Sequence, residues 1–432
     1  MHAEIGAWWA LALAWPALLV GEALVRRVRL FSEFNIPVPV IGGLTLALAT
    51  LALYFIGTPV RFELATSSRW WLWIVTADAE LAQATPSQAV YYPLMVAFFT
   101  CIGLSANPSI LRKSGVAIAL FLAVTSVLAA LQMAVGVGVA LGLGESPLLG
   151  LLCGAISMTG GHATSAAFAP LVEDAGAAGA LGIAITAATF GLVAGGLVGG
   201  PVGAVLVRNR KLATSEDTSV QASNARGAPT TFLNELMALF ASPRRTLWHL
   251  AALALSLKLG AWVSYGLGSI ELAGAPLVLP GYIGAMIVGI ALRSSLELTG
   301  RPWIRDRVVA LMMFVCLDLF LAIAVMSVDL VQLAHVAIPM LIILTAQVGF
   351  MVIFAATVTF RTMGSDYNAA VLAAGHCGFG LGASPNAVAN MESLVKRHGP
   401  APEAFLVLPI AAGFLLDFTN AAVISLSIRL FS

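Results

Sequence analysis

A stretch near the C-terminal end, Gly375 to Met391, reads GHCGFGLGASPNAVANM and sits inside apolar sequence. It carries Gly375, Gly378, Gly380 and Gly382, then Ser384, Pro385 and Asn386. Each glycine costs about 1 kcal/mol in a helix interior. Ser-Pro reads as a fresh helix start, with Ser384 as N-cap and Pro385 at the first helical position. The stretch therefore predicts helix, break, helix. The chain around it is that of a polytopic membrane protein: 59% of residues are hydrophobic and only 10% charged, against about 25% charged in a soluble domain, and the mean hydropathy is +0.95. At membrane depth, unpaired backbone is tolerated only where protein buries it or where it lines a wet cavity. The break is therefore a candidate binding site.

A second copy lies upstream, where Gly154 to Phe168 reads GAISMTGGHATSAAF. Shifted onto the first stretch, Ala163-Thr164-Ser165 falls on Ala383-Ser384-Pro385, and Ala167 and Ala169 fall on Ala387 and Ala389. Gly160-Gly161 is the expected break, with Thr164 or Ser165 as cap. One such string is explained by close helix packing. Interrupted apolar segments at matching places in two halves point instead to the binding site of a secondary transporter.

The other runs order the chain. Five spans are expected in residues 1–210, together with a hairpin at 147–172; a polar linker at 211–243 follows; five more spans and a hairpin at 369–395 are expected in 244–432. Lysine and arginine clusters after spans 1, 3, 5, 7 and 9 mark the inner loops. The two halves then enter the membrane from opposite sides, as an all-α fold of two inverted five-helix repeats, each with a re-entrant hairpin. Residues 61–90, with Trp70, Trp71 and Trp73, are too polar to span and suit an amphipathic helix at the outer interface, or a lid. Cys101, Cys153, Cys316 and Cys377 are scattered singly, without metal or redox spacing. No basic tract with interleaved aromatics points to nucleic acid.

The expected chemistry lies at the hairpin tips. A half-helix N-terminus carries roughly +0.5 charge and unpaired N–H groups, which bind a carboxylate or phosphate. Thr159, Gly160, Gly161, His162, Thr164 and Ser165 on one tip, and Gly380, Gly382, Ser384 and Asn386 on the other, are the substrate-binding candidates. The half-helices before the breaks end in carbonyls that suit Na+, which places Ser157, Gly375, Cys377 and Gly378 in a candidate sodium set with Asn107, Asp417 and Asn420. No lysine or arginine occurs from Ser114 to Val207 or from Thr362 to Val395. A substrate's negative charge must then be met by backbone dipoles and hydroxyls. Asp417, inside span 10, is costly unless paired or hydrated. It can hold a substrate ammonium, a Na+ or a proton, or serve helix packing. Asp318 has the same alternatives, with a dimer or scaffold interface as its structural one. Gln132 and Gln347 suit interhelical hydrogen bonding as well as function. His162 and His376 suit hydrogen bonding to loop or substrate, proton coupling, or metal binding, the last without paired ligand spacing. Ser165 and Ser384 are conceivable nucleophiles of an intramembrane enzyme, but no base is placed by a motif.

The strings SMTGGHATSAAF, AAGHCGFGLGASPNAVANM and FLLDFTNAAVI, with IPVPVIGGL in span 2, resemble the bacterial sodium/glutamate symporters over nearly the whole chain. The 61–90 and 211–243 segments fall outside that resemblance. It implies a Na+-driven glutamate importer of the inner membrane, with no cofactor besides the coupling ion. It also implies a lipid-embedded homodimer that works as an elevator; the lysine and arginine clusters put both termini in the periplasm and the linker in the cytoplasm. Glutamate's two carboxylates and one ammonium match two helix N-termini and Asp417. The hairpins would move against spans 1, 2, 6 and 7. The 2-hydroxycarboxylate (citrate or malate) transporters share the architecture and are the alternative. A channel is disfavoured, because hairpins closed from opposite sides suit alternating access.

Overall fold

Apolar runs of this length fold as helices because a helix pairs every N–H and C=O within its own segment, which hydrocarbon demands. The computed structural model describes residues 3–29, 31, 36–58, 60–78, 80, 88–105, 115–212, 237, 243–268, 271–272, 275–276, 281–299, 303–411 and 416–431. In chain order the helices are α1 (Ala7–Arg27), α2 (Val38–Phe55), α3 (Tyr92–Ser105), α4 (Gly115–Gly142) and α5 (Pro147–Leu152). Then come α6 (Gly161–Asp174), α7 (Ala180–Arg210), α8 (Pro243–Gly268), α9 (Tyr282–Leu298) and α10 (Asp306–Met326). The last are α11 (Ala337–Phe354), α12 (Tyr367–Gly380), α13 (Ser384–His398), α14 (Pro402–Ile410) and α15 (Leu416–Phe431). Between α11 and α12 a π-helical stretch covers Ala355–Thr359.

Among the described residues seven helices are long and apolar enough to cross a membrane: α1, α2, α4, α7, Thr246–Leu267 of α8, α10, and α11 with its continuation to Thr362. They stand where spans 1, 2, 4, 5, 6, 8 and 9 were expected. Where span 3 was expected lies the 14-residue apolar α3. Where span 7 was expected lies the 17-residue α9, which carries Arg293 and Glu297 in its second half. Span 10 is described as α14 and α15, with 412–415 outside the described residues. The chain is an all-α polytopic membrane protein. Most of the 211–243 linker also lies outside the described residues.

The chain divides into two compact units, each drawing on both sides of the linker. One takes the described residues of Met1–Val28, Pro37–Pro108 and Ala228–Leu330, hence α1, α2, α3, α8, α9 and α10. The other takes those of Arg29–Ile36, Ser109–Gly227 and Val331–Ser432, hence α4 to α7 and α11 to α15, including both glycine-broken stretches.

Glycines set the spacing inside the first unit. A Cβ on Gly42 of α2 would strike the Ala17 carbonyl of α1, and one on Gly103 of α3 would strike the Met286 carbonyl of α9. Beside that second contact, Phe99 stacks on Tyr282 with 3.9 Å between ring centroids. Lipid gives helices no hydrophobic reason to associate, so such close backbone approach is a main source of packing energy. Arg293 is 5% exposed; it pairs with Glu297 and, across to α10, with Asp306, both at 2.7 Å.

The tryptophan segment differs from expectation. Its described residues form short paired strands, a four-residue helix and a 3-10 turn, with Asp78 and Glu80 also helical, instead of one continuous amphipathic helix. β1 (Ala3–Ile5) pairs with β2 (Val60–Phe62) in parallel, and β3 (Ala65–Thr66) pairs with β4 (Gln88–Ala89) antiparallel. Between them Arg69–Leu72 is helical and Trp73–Val75 forms a 3-10 turn. Lys258 of α8 explains the early stop. Its ammonium donates to the Trp73 and Thr76 carbonyls, both at 3.0 Å, and to Asp78 at 2.7 Å. It also sits 4.4 Å from the centroid of the Trp73 ring. Trp8 stacks on Trp70 at 5.2 Å, and the Trp71 indole donates to the Val90 carbonyl at 2.8 Å.

Gly42→Val forces α1 and α2 apart and is expected to cost about 1–3 kcal/mol, read as a lower Tm of the detergent-purified protein. Gly138→Ala on α4, where a Cβ meets nothing within 4 Å, is expected to leave Tm unchanged or raise it. Equal Tm values for Gly42→Val and the parent would contradict the packing account.

Candidate functional site: two helix breaks that meet

The second unit places both breaks together. In the first, Ser146 caps α5 by accepting from the Leu148 amide at 3.3 Å, and Pro147 opens the helix. After Leu152 the chain runs as turns through Cys153–Gly160, nearly all buried, and α6 starts at Gly161. The start lies upstream of the expected caps Thr164 and Ser165, which sit inside the helix. The reason is local: Gly161 takes φ +62°, a conformation open to glycine at little cost.

In the second break α12 ends at Gly380, and α13 starts at Ser384 with Ala383 as its extended N-cap. The cap thus falls one residue before the expected Ser384. The Ala383 carbonyl takes the Asn386 and Ala387 amides at 3.1 and 3.2 Å, so no side-chain cap is needed. Gly375 and Gly378 are helical. Their missing side chains make room for Met391 and Leu408, and for the backbone at Asn386–Ala387, respectively. The break proper is therefore only Leu381–Ala383. Its neighbouring carbonyls are largely engaged: Gly378 accepts from Ala383 and Phe379 from Gly382, both at 3.2 Å.

Gln132 of α4 joins the two breaks. Fully buried, it accepts a 2.6 Å hydrogen bond from the Thr159 hydroxyl through Oε1 and donates through Nε2 to the Gly380 carbonyl at 2.7 Å. Gln347 of α11 donates in turn to the Gln132 carbonyl at 2.7 Å. The breaks also touch directly, since a Cβ on Gly161 would lie 2.7 Å from the Gly382 carbonyl oxygen. α7 backs the contact with Gly191, Gly195 and Gly199, one per turn. Gly191 abuts the Leu381 carbonyl, Gly195 those of Cys377 and Gly378, and Gly199 the Asn390 amide and Ala374 carbonyl. Asn386 donates to the Leu192 carbonyl.

The remaining candidates divide. Ser384 is partly exposed at the start of α13. Thr164 is buried against Gly160. Ser165 donates to the Ile156 and Ala184 carbonyls at 3.4 and 3.3 Å, and Ser157 to Gly154 at 3.4 Å, so both hydroxyls serve the turn. His162 Nε2 lies 3.0 Å from the Thr189 hydroxyl, which itself donates to Ile185; Nε2 is therefore the donor. His376 is set back from the break, between Phe121 and Phe354, with Nδ1 2.9 Å from Thr359 in the π-helical stretch. Cys377 is buried on the α7 side of α12. Asp417 is half-buried on α15. One turn on, Asn420 donates to the Ala155 carbonyl at 3.5 Å, while its Oδ1 is buried with no hydrogen-bond partner. Thr419 accepts from Ser126 at 2.9 Å. Asn107 lies outside the described residues. Among the described residues no three His, Cys, Asp or Glu side chains form a metal cluster.

The bridging role of Gln132 is what sequence reasoning left open; a glutamine in an apolar run says that a partner exists, not which one. Chemically, the site offers two long-helix N-termini and several hydroxyls, with no lysine or arginine in either hairpin. Replacing Gln132 by leucine strands the Gly380 carbonyl and frees Thr159, at about 1–3 kcal/mol. In a thermal-unfolding cycle with Thr159→Val, the double variant is expected to lose less than the sum of the singles; strict additivity would contradict the bridge.

Comparison with known proteins gives the family. A family model described as sodium/glutamate symporter matches residues 3–77 and 71–400. The sodium/glutamate symporter of Escherichia coli (strain K12) is 39% identical over 422 residues, covering 97% of this chain and 96% of that protein. The sodium/glutamate symporter of Haemophilus influenzae is 37% identical over 420 residues, with 96% of each covered. These relatives are named as transporters, which sets aside the enzyme reading. With a family model spanning nearly all of it and relatives this similar end to end, the chain belongs to the sodium/glutamate symporter family.

Proposed function

We propose that this chain is a sodium-coupled glutamate importer of a bacterial inner membrane, and that the meeting point of its two helix breaks is where the substrate binds. The observation that supports this most is the contact of Gly161 with Gly382, joined by Gln132, in a region whose hairpins lack basic side chains. A dicarboxylate there is held by the starts of α6 and α13, where dipole and amides favour anions, with Ser384 and Thr164 completing the contacts. Sodium is a hard cation that takes oxygen ligands. Asn420 Oδ1, buried without a partner next to the Ala155 carbonyl, supports a cation site that Asp417 completes. Sodium binding orders the turn at 153–160 and so couples the ion to glutamate.

In this reading the glycine-broken stretches are re-entrant hairpins of an inverted repeat. The unit that holds them crosses the membrane as a body, in an elevator cycle, within a homodimer. The linker faces the cytoplasm and both termini the periplasm.

Proteoliposomes given an inward Na+ gradient are expected to accumulate radiolabelled glutamate, and those given an inward K+ gradient are not; excess citrate leaves uptake unchanged. Na+-dependent citrate or malate uptake without glutamate uptake would move the protein to the 2-hydroxycarboxylate class. Asp417→Asn is expected to abolish Na+-dependent uptake, and wild-type Na+ dependence in that variant would remove Asp417 from the cation site. Ser384→Ala and Thr164→Ala are expected to raise the apparent KM for glutamate about tenfold or more, the loss of one hydrogen bond to a charged group. An unchanged KM in both would refute their contact with the carboxylates.

A further inference from the structure

A cavity of about 420 Å³ opens between α7 and α13, apart from the Gly161–Gly382 contact but reaching Asn386 beside it. That volume lies within the range of small-molecule sites. Its walls are unlike each other. On α13, Asn386, Asn390, Ser393 and Arg397 recur every three or four residues, so they form one stripe along the helix. On α7 the facing wall is Gly196, Gly200, Pro201 and Ala204, which sets no polar side chain against the stripe. The stripe is graded. Asn386 and Asn390 are 1% and 5% exposed, whereas Ser393 and Arg397 are exposed. Asn390 donates to the Gly195 carbonyl at 2.9 Å, and Ser393 donates back to the Asn390 carbonyl at 2.8 Å. Among the described residues Arg397 has no ion-pair partner, while its neighbour Lys396 lies 4.0 Å from Glu392.

The position of Arg397 in the last turn of α13 suits a cation in any protein, because the helix dipole is negative there. That does not account for the polar stripe, nor for the glycines that keep it open. From the breaks outward, Arg397 is the first basic side chain on α13 apart from the paired Lys396. A charge in a cleft with low-dielectric walls raises the local concentration of the opposite charge.

We propose that this cavity is a water-filled route along which an anionic substrate passes between the solvent and the breaks, with Arg397 at its mouth as the station that attracts carboxylates. It rests on the transporter reading above and adds a path and a recruiting residue to it. Asn390 and Ser393 supply neutral hydrogen-bonding positions between mouth and breaks. An anion thus meets a full positive charge only at the mouth, where it must not be held tightly, and dipoles at the binding point.

The test uses the full chain in nanodiscs, where both faces are open to reagent. Ser393→Cys is labelled with an anionic and with a cationic methanethiosulfonate in a Cys316→Ser background, which removes the one native cysteine that is not buried; that background, in which Cys101, Cys153 and Cys377 are buried, serves as the blank. The expected result is modification by both reagents, faster by the anionic one. Adding Arg397→Gln is expected to lower the anionic-to-cationic rate ratio about threefold or more, as for one unit charge removed a few ångströms away in water. Arg397→Lys retains the ratio, and raising the salt compresses it. Glutamate with Na+ is expected to slow labelling. No labelling of Ser393→Cys, or a ratio unchanged by Arg397→Gln, would overturn the proposal. Because the rate ratio is read without substrate, it stands or falls separately from the identity of the transported anion. Slowing by citrate instead of glutamate would correct the substrate while keeping the route.

Discussion

Every polar backbone group in hydrocarbon must find a partner inside the protein, and the second unit depends on how two helix breaks meet that demand. The turn at 153–160 and the break at 381–383 expose amides and carbonyls that a continuous helix would have paired. Gln132 accepts from the Thr159 hydroxyl and donates to the Gly380 carbonyl, so a single side chain ties the two breaks together and pairs one of their carbonyls. Gln347 holds the Gln132 backbone in turn. The glycines of α7 then allow the carbonyls around Leu381 to approach without a Cβ in the way. Loosening any of these leaves a polar group stranded in a low-dielectric interior, where it costs most.

The same economy shapes the electrostatics. A fixed lysine or arginine at the binding point would grip a carboxylate and need its own counter-charge when the site is empty. Helix N-termini attract the anion yet require no neutralisation. Full charges are met by partners or lie at openings: Arg397 lines the α7–α13 cavity, the buried Arg293 is clasped between Glu297 and Asp306, and Lys258 holds the tryptophan segment.

Much of this was legible in the sequence, for physical reasons that can be named. Apolar runs longer than the bilayer is thick specify helices whatever their neighbours do, so seven of the ten expected spans stand as long apolar helices among the described residues. Glycine-rich interruptions in such runs specify breaks, and each stretch contains one, though the first lies at 153–160, mostly upstream of the expected Gly160-Gly161, and the second is only Leu381–Ala383. The details depended on tertiary contacts. Ser384 was expected to cap α13, but the Ala383 carbonyl does that work, and Gly375 and Gly378 proved to be packing glycines inside a helix. Lys258 stops a helix nearly two hundred residues away in sequence, which no local pattern encodes. The interleaving of the two halves into two units is likewise a property of contacts, not of chain order.

The central claim is that substrate and ion bind where the two breaks meet. A cryo-EM structure of the protein in nanodiscs with saturating Na+ and glutamate tests it most directly. The account predicts glutamate density against Gly161 and Ser384, with its carboxylates at the first turns of α6 and α13, and a cation within coordination distance of Asn420 Oδ1. Glutamate bound elsewhere in the fold, with the Gly161–Gly382 contact closed and Asn420 bonded only to protein, would contradict it.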